Sequence, residues 1–407
     1  MFKAYKYRMY PNREQRDSLA RAFGCSRWAY NWALARRNEA YAQTGKTLST
    51  YDLNVEMTSV KKENPFLAEV SDWVLKEAIA NVGNAFKRFF EGTCRYPRFK
   101  SKRDGRQSAT YRRMKVSGNR VKLAKVGSVK FVKHREMVGD VKRITVSRDA
   151  CGDYWVSFLC EDGAQEPPKA QRPTKAVGID VGLHDFLVTS DGERVENPAY
   201  YRKAQAKLAK EQRRLARKQK GSNRYERQRR KVAKCHRHAA NQRRDFLHRT
   251  SRRLINENQV IAIEDLNVSG MLKNRHIAKS IADAGWSKFA SMLEYKARWY
   301  GVEILRCGRF DPSSKMCECG YVNAGLTLDM REWVCPQCGA ILDRDANAAK
   351  NILKFAVARA VNGRGGIVRP ANQDRFSSLG LWAEPYEASS PDFSSGVRDT
   401  KDCRGPS

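Results

Sequence analysis

The sequence predicts a multidomain chain of mixed α and β structure: a helical part, a small β part and an α/β part. Three observations carry this. The chain has 407 residues, more than one hydrophobic core usually serves, so two to four structural units are expected. Its residues are 41% hydrophobic and 10% aromatic, enough for packed cores and too much for wholesale disorder. The apolar period also changes along the chain, from helical spacing to alternation and then to both together.

Tyr5, Tyr7 and Met9 alternate with charged residues before a turn at Pro11-Asn12. From residue 11 to 95 the spacing is helical, with Leu19, Ala22, Phe23, Trp28, Trp32 and Leu34 on an apolar face. Gly45-Lys46 and Asn64-Pro65 read as turns between helices, and Trp73, Leu75, Ile79, Val82, Ala85, Phe86 and Phe90 continue a buried stripe. Residues 1–10 and 96–170 form the β-rich part, because Val121-Lys122-Leu123, Val129-Lys130-Phe131-Val132 and Ile144-Thr145-Val146 are short strand-like segments. Pro167, Pro168 and Pro173 mark a linker. Residues 171–310 and 341–362 are the α/β part, and the Gly-, Ser- and Pro-rich tail 363–407 reads as flexible.

Charge is concentrated. The chain carries 78 Lys and Arg against 44 Asp and Glu, a net charge of +34. Residues 202–253, which read as long helices, hold 21 basic side chains against Glu211, Glu226 and Asp245. Residues 95–135 hold 15 against Asp104 alone. Solubility needs no such clustering, whereas a polyanion rewards it, since each neutralised phosphate releases condensed counterions. Arg98 and Lys100 in one block, and Arg213, Arg214, Arg229 and Arg230 in the other, are candidate nucleic-acid contacts. Tyr96, Phe99 and Tyr111, interleaved with the basic residues, suit backbone contact and base stacking, though Phe and Tyr on strands are more often core. No apolar run is long enough for a bilayer or a secretory signal, so no membrane partner is expected.

The α/β part carries acids on three separated elements. Ala176 to Gly182 is a β-branched strand with Asp180 inside it, followed by an antiparallel partner, Phe186 to Ser190. Gln259 to Leu266 is a strand buried on both faces that ends in Glu264 and Asp265. Asp343-Arg344-Asp345-Ala346-Asn347 opens a helix, where acids also suit the helix dipole. Carboxylates converging from different elements are what two Mg²⁺ ions need to activate water and stabilise a leaving oxygen on a phosphodiester. The 11 cysteines are an odd number, which argues against a disulfide framework. Cys335 and Cys338 form a zinc knuckle, and Cys317 and Cys319, about fifteen residues earlier, a second one, so a closed structural zinc site is expected.

These motifs, with Gly24-Cys25-Ser26-Arg27-Trp28-Ala29-Tyr30-Asn31, Tyr96-Pro97-Arg98-Phe99-Lys100 and Asp283-Ala284-Gly285-Trp286, make a chain that resembles the TnpB family. These are transposon-encoded RNA-guided DNA nucleases related to type V CRISPR effectors, and the likeness covers most of residues 1–370. It implies a RuvC-like RNase H fold with a zinc-ribbon insertion at 311–340, a helical recognition region and a β-barrel-like wedge domain. It implies Asp180, Glu264 and Asp345 as ligands of two catalytic Mg²⁺ ions, with Asp345 preferred to Asp343, Asp265 and Asp185. The first knuckle departs from the family pattern, having one residue between its cysteines where two are usual. By positional similarity Tyr51, Trp73 and Lys76 would touch a short motif beside the target. The expected partners are a guide RNA and double-stranded target DNA, with a monomer favoured, in the prokaryotic cytoplasm beside the nucleoid. Two rivals remain: a nuclease-inactive RNA-guided repressor of the same fold, and a conventional transposase.

Overall fold

The computed structural model describes residues 1–102, 107–112, 114–327 and 329–362; the tail expected to be flexible lies outside them. The chain divides into two units, residues 1–166 with 199–245, and residues 167–198 with those from 246 onward.

In the first unit, Tyr5, Tyr7 and Met9 put their side chains on the buried face of strand β1 (Phe2–Tyr10), as their alternation predicts. Helix α1 (Arg13–Thr44) starts in a capping box in which the Asn12 side chain accepts from the Gln15 amide, and it ends at Gly45, φ 67°. Helices α2 (Thr50–Glu63) and α3 (Asp72–Phe90) follow, separated by a 3₁₀ turn at Pro65–Glu69. The remaining strands are β2 (Gln107–Tyr111), β3 (Met114–Ser117), β4 (Arg120–Leu123), β5 (Gly127–Val132), β6 (Asp140–Arg148) and β7 (Tyr154–Glu161). They pair with β1 in one antiparallel sheet, ordered β2-β6-β7-β1-β5-β4-β3. Leu19, Leu34, Leu75 and Ile79 of the helices share one core with Tyr7, Tyr111, Phe131 and Phe158 of the sheet. Tyr111 is thus core.

Three expectations need correction. Trp28 and Trp32 are only half-buried, because the α1 core stripe runs through Leu19, Ala22, Phe23, Ala29, Tyr30 and Ala33 instead. The α3 stripe ends at Val82, leaving Phe90 79% exposed. Tyr96 to Lys100 is no strand; it lies along α1, where Asn31 Nδ2 donates to the Lys100 carbonyl and the Tyr96 hydroxyl to Asn38.

The basic helices are α4 (Tyr200–Ala216) and α5 (Asn223–Glu257), and up to residue 245 they group with this unit. Ion pairs explain the grouping. Arg237 of α5 reaches Asp149 at 2.9 Å and Asp153 at 2.5 Å, at the β6–β7 turn, where Arg8 also pairs with Asp153. These contacts hold Asp153 down to about 2, chiefly through the Arg8 hydrogen bond.

The second unit is built on β8 (Ala176–Asp180), β9 (Asp185–Thr189), β10 (Arg194–Glu196), β11 (Val260–Ile263) and β12 (Glu303–Arg306). Their order is β10-β9-β8-β11-β12, with β10, β9 and β8 antiparallel and β11 and β12 parallel to β8. Short helices α6 (Val268–Met271) and α7 (Ala278–Ala284) lead through Gly285, φ 76°, into α8 (Trp286–Tyr300). The β13–β14 hairpin (Glu332–Val334, Ile341–Asp343) then feeds α9 (Arg344–Asn362). Ile261 and Ile263 pack with Leu254, Phe289 and Leu293 on one face of the sheet, while Val260 and Ala262 meet Ile352, Ala356 and Val357 of α9 on the other. A strand covered on both faces has no reason to alternate, which is why β11 reads as a continuous apolar run.

Helix α9 lies directly on the β8 backbone. A Cβ at Gly178 would sit 2.0 Å from the Ala349 carbonyl oxygen and 2.9 Å from the Leu353 Cβ. Gly178→Ala should therefore lower the unfolding temperature by roughly 2–12 °C, the range for ~1–3 kcal/mol of overpacking. Gly24→Ala, inside α1 where the added Cβ meets nothing within 4 Å, should instead raise it by roughly 1–4 °C in thermal denaturation, the ~0.5–1 kcal/mol by which alanine exceeds glycine in a helix.

Candidate active site

Three acids stand at one end of the β8–β11 pair, although among the described residues only the four cysteines, and not these carboxylates, cluster tightly enough to form a ready metal-ligand group. Asp180 is the last residue of β8, and Glu264 directly follows β11. The strands are parallel with Ile179 opposite Ile263, so the two carboxylates leave the sheet side by side. Asp345 is the second residue of α9, one turn before the Ala349 carbonyl that rests on Gly178. Burial pushes the Asp180 carboxyl up to about 8, and the charges of Glu264 and Asp345 add to it, with partial relief from Arg344. Burial also raises Glu264, against a hydrogen bond of 2.8 Å from the Ser313 hydroxyl. Asp345 is held by Arg331 at 3.0 Å and by Arg344 at 2.9 Å. Three carboxylates are an all-oxygen donor set of the kind that hard divalent cations such as Mg²⁺ take.

The other acids have other partners. Asp343 caps α9 by accepting from the Ala346 amide at 2.8 Å and pairs with Arg194 at 2.6 Å. Arg194 also holds Asp185, and Asp265 pairs with Arg309, both at 2.8 Å.

Sequence reading missed the groups that fix this geometry. Asn347 and Asn351 are buried on α9 and donate to the Met316 carbonyl at 2.8 and 2.6 Å; Asn351 also donates to the Ser313 carbonyl at 2.8 Å. They tie down the loop that brings Ser313 to Glu264. The available signal was Asn at i and i+4 on an otherwise apolar face, since a buried amide needs such partners.

The four knuckle cysteines come together despite the shortened first knuckle. Cys317 and Cys338 sulfurs lie 3.6 Å apart, as do those of Cys319 and Cys335, and all four fall within 4.8 Å of one another. Four sulfurs ~2.3 Å from a common centre would stand ~3.8 Å apart, so the set fits tetrahedral zinc. Gly320 at φ 91° makes the short knuckle possible: it turns back so that its amide donates to the Cys317 carbonyl, as Gly339 does to Cys335. At Cys335 burial opposes ionisation, but the Cys338 and Gln337 amides and neighbouring thiols outweigh it and bring the thiol to about 7. Cys25, Cys151, Cys160 and Cys307 are buried and Cys94 is exposed; Cys403 lies outside the described residues.

The candidate nucleic-acid contacts differ in their freedom. Arg213, Arg214, Arg229 and Arg230 are all exposed, but Arg214 pairs with Glu211 and Arg229 with Glu226, each at 2.8 Å. Arg98 is exposed, while the Lys100 ammonium sits 3.7 Å above the Tyr30 ring. Tyr51 is 76% exposed. Trp73 is half-buried, with Lys76 and Arg112 over its ring at 5.5 and 5.7 Å. Among the described residues no helix is long and apolar enough to cross a membrane.

Known relatives match this chain almost end to end. A Streptomyces pristinaespiralis protein is 41% identical over 95% of this chain and 97% of its own length. The chain belongs to the TnpB family. That relative carries the provisional name RNA-guided DNA endonuclease, as does an Escherichia coli K12 protein, 30% identical over 91% of this chain and 96% of its own. Family models described as "Probable transposase", "Cas12f1-like, TNB domain" and "Helix-turn-helix domain" match residues 157–275, 286–352 and 1–46. The last of these covers a strand and a single long helix here, β1 and α1. Among solved structures, the Cas12f1–sgRNA–target DNA complex shares the fold at a TM-score of 0.55, with 14% identity over 86% of this chain and 98% of that one.

Two measurements check the site. Asp180 keeps its proton in the folded chain to about pH 8 and in the unfolded chain only to about pH 4. Without divalent cations the fold should thus lose stability as pH rises from about 4 to about 8. Mg²⁺ should raise the melting temperature more at pH 8.5 than at pH 6, and Asp180→Asn should flatten both dependences. For the thiols, elemental analysis should find about one zinc per chain, and Cys319→Ser should lose most of it.

Proposed function

We propose that this chain is an RNA-guided DNA endonuclease, cutting through an RNase H arrangement of the RuvC type. The observation that carries the reading is that Asp180 ends β8, Glu264 directly follows the parallel neighbour β11, and Asp345 opens α9, the helix packed on β8 at Gly178. The strand order, with three antiparallel strands followed by two parallel to the first, supports an RNase H arrangement, and the names of the relatives support RNA guidance.

Asp180, Glu264 and Asp345 would hold two Mg²⁺ ions, which when bound supply Lewis acidity toward the scissile phosphate and its attacking water. The chain's own groups set the stage. Ser313 fixes one Glu264 oxygen and leaves the other for a ligand. Arg331 and Arg344 orient Asp345 and bring positive charge to where a phosphodiester must lie. The four cysteines, with zinc as a closed structural site, anchor the hairpin from which Arg331 projects. The exposed arginines of α4 and α5 would grip phosphates without reading sequence, leaving target choice to base pairing. Tyr51, Trp73 and Lys76 are the proposed contacts to the target-adjacent duplex. The proposed partners are one guide RNA and double-stranded DNA, met by a single copy in the prokaryotic cytoplasm.

The test uses protein purified with the RNA it carries and a plasmid bearing the guide's complement. Wild type should cut only with both RNA and Mg²⁺, and Asp180→Ala should cut at least ~10³-fold more slowly while binding RNA and DNA within about twofold. Cutting without RNA would favour a transposase, and cutting by Asp180→Ala would refute the acid assignment. Reversing Arg213, Arg214, Arg229 and Arg230 to Glu should weaken nucleic-acid binding and flatten its dependence on log salt by roughly one unit per lost phosphate contact.

A further inference from the structure

The first unit contains a cleft of about 750 Å³ to which nothing so far gives a role. Its floor is α1, where Trp28 and Trp32, one turn apart, lie with ring planes 6° from parallel and centroids 6.4 Å apart. Phe66 stands edge-on to Trp28 at 5.8 Å and 86°, forming a wall. Phe99, 58% exposed, lines the other side. Its segment is fastened to α1 by two hydrogen bonds between Asn31 and the Lys100 backbone, at 2.8 and 3.0 Å. A water-exposed phenylalanine is therefore held in place beside half-buried tryptophans, where a core would have folded it away.

The rim is positive. Glu69 is the acid lining the cleft, and Arg21 neutralises it at 3.1 Å. Arg27, also lining the cleft, makes no ion pair or side-chain hydrogen bond among the described residues. Aromatic faces beside an uncommitted guanidinium match an unstacked base and its phosphate. Duplex DNA keeps its bases stacked until guide pairing displaces a strand, whereas the loops and bulges of the RNA that the chain already carries present splayed bases that proteins take on aromatic planes.

We infer that this cleft is a pocket for an unpaired nucleobase of the bound RNA, stacked on the Trp28–Trp32–Phe99 surface with its phosphate on Arg27. The inference rests on the RNA-guided reading and adds to it a site at which the RNA is held by one base.

The full chain, purified with its RNA, is irradiated at 254 nm and the adducts are mapped by mass spectrometry. A ribonucleotide adduct is expected on the peptide carrying Trp28 and Trp32 or on that carrying Phe99. Because Phe99 and Arg27 lie outside the packed core, Phe99→Ala with Arg27→Ala should leave the melting temperature within about 2 °C. The pair should weaken affinity for the sequenced RNA by about tenfold or more. RNA binding and cutting by wild type, with unchanged affinity in the double variant and no adduct in the cleft, overturns the pocket alone. A deoxyribonucleotide adduct there, after irradiation with target DNA, overturns the assignment to RNA. Wild type that carries and binds no RNA overturns the RNA-guided reading as well.

Discussion

The close approach of α9 to the β8 backbone at Gly178 sets the geometry on which the acidic centre depends. Any side chain at 178 would push the Ala349 carbonyl outward, and Asp345 would move with it, one turn up the same helix. Ala348 and Ala349, both buried, keep the helix thin where it touches the sheet. Asn347 and Asn351 use the same helix to moor the loop bearing Ser313. One helix–strand contact thereby places the third acid directly and steadies the second through a hydroxyl. The cost is carried by Asp180, buried among like charges with its proton affinity raised. Such a site is poorly satisfied without cations, and function rather than stability explains why it is kept.

Charge plays two separate parts in this molecule. At the acidic centre a few arginines are spent singly: Arg194 on Asp185 and Asp343, Arg309 on Asp265, Arg331 and Arg344 on Asp345. Asp185, Asp343 and Asp265 are thus paired with arginines as Asp345 is, and of these four it is Asp345 that stands among the charges raising Asp180. In α4 and α5 the basic side chains greatly outnumber the acids, and exposed i,i+3 pairs such as Arg214–Glu211 contribute little. Arg237 is the exception, because its carboxylates belong to the β6–β7 turn and anchor α5 within the first unit.

Much of this was legible in the sequence, for identifiable reasons. The alternation of Tyr5, Tyr7 and Met9 and the apolar run at Val260 to Ile263 each encode burial directly, so β1 and β11 follow from them. Asp180 is the acid hardest to read as merely structural, because its neighbours in the strand are apolar. What local pattern could not supply was partnership between distant residues. Trp28 and Trp32 fit a helical stripe, yet α1 turns Ala29 and Tyr30 inward and leaves the tryptophans on a cleft. Tyr96 to Lys100 has strand-like residues, but hydrogen bonds to Asn31 and Asn38 lay it on a helix. Ser313, Arg331 and Asn351 carry no signal of their own; they matter through what the fold sets beside them. The short Cys317–Cys319 knuckle falls between these cases, its spacing irregular and Gly320 the residue that absorbs the irregularity.

The central claim is that Asp180, Glu264 and Asp345 converge on a common metal-binding point, and direct location of the metal tests it best. Crystals of the protein with its RNA and a DNA target, grown with Mn²⁺ in place of Mg²⁺, should give two anomalous peaks ~4 Å apart among the three carboxylates. No anomalous density there, or manganese bound elsewhere with the three side chains turned apart, would contradict the account.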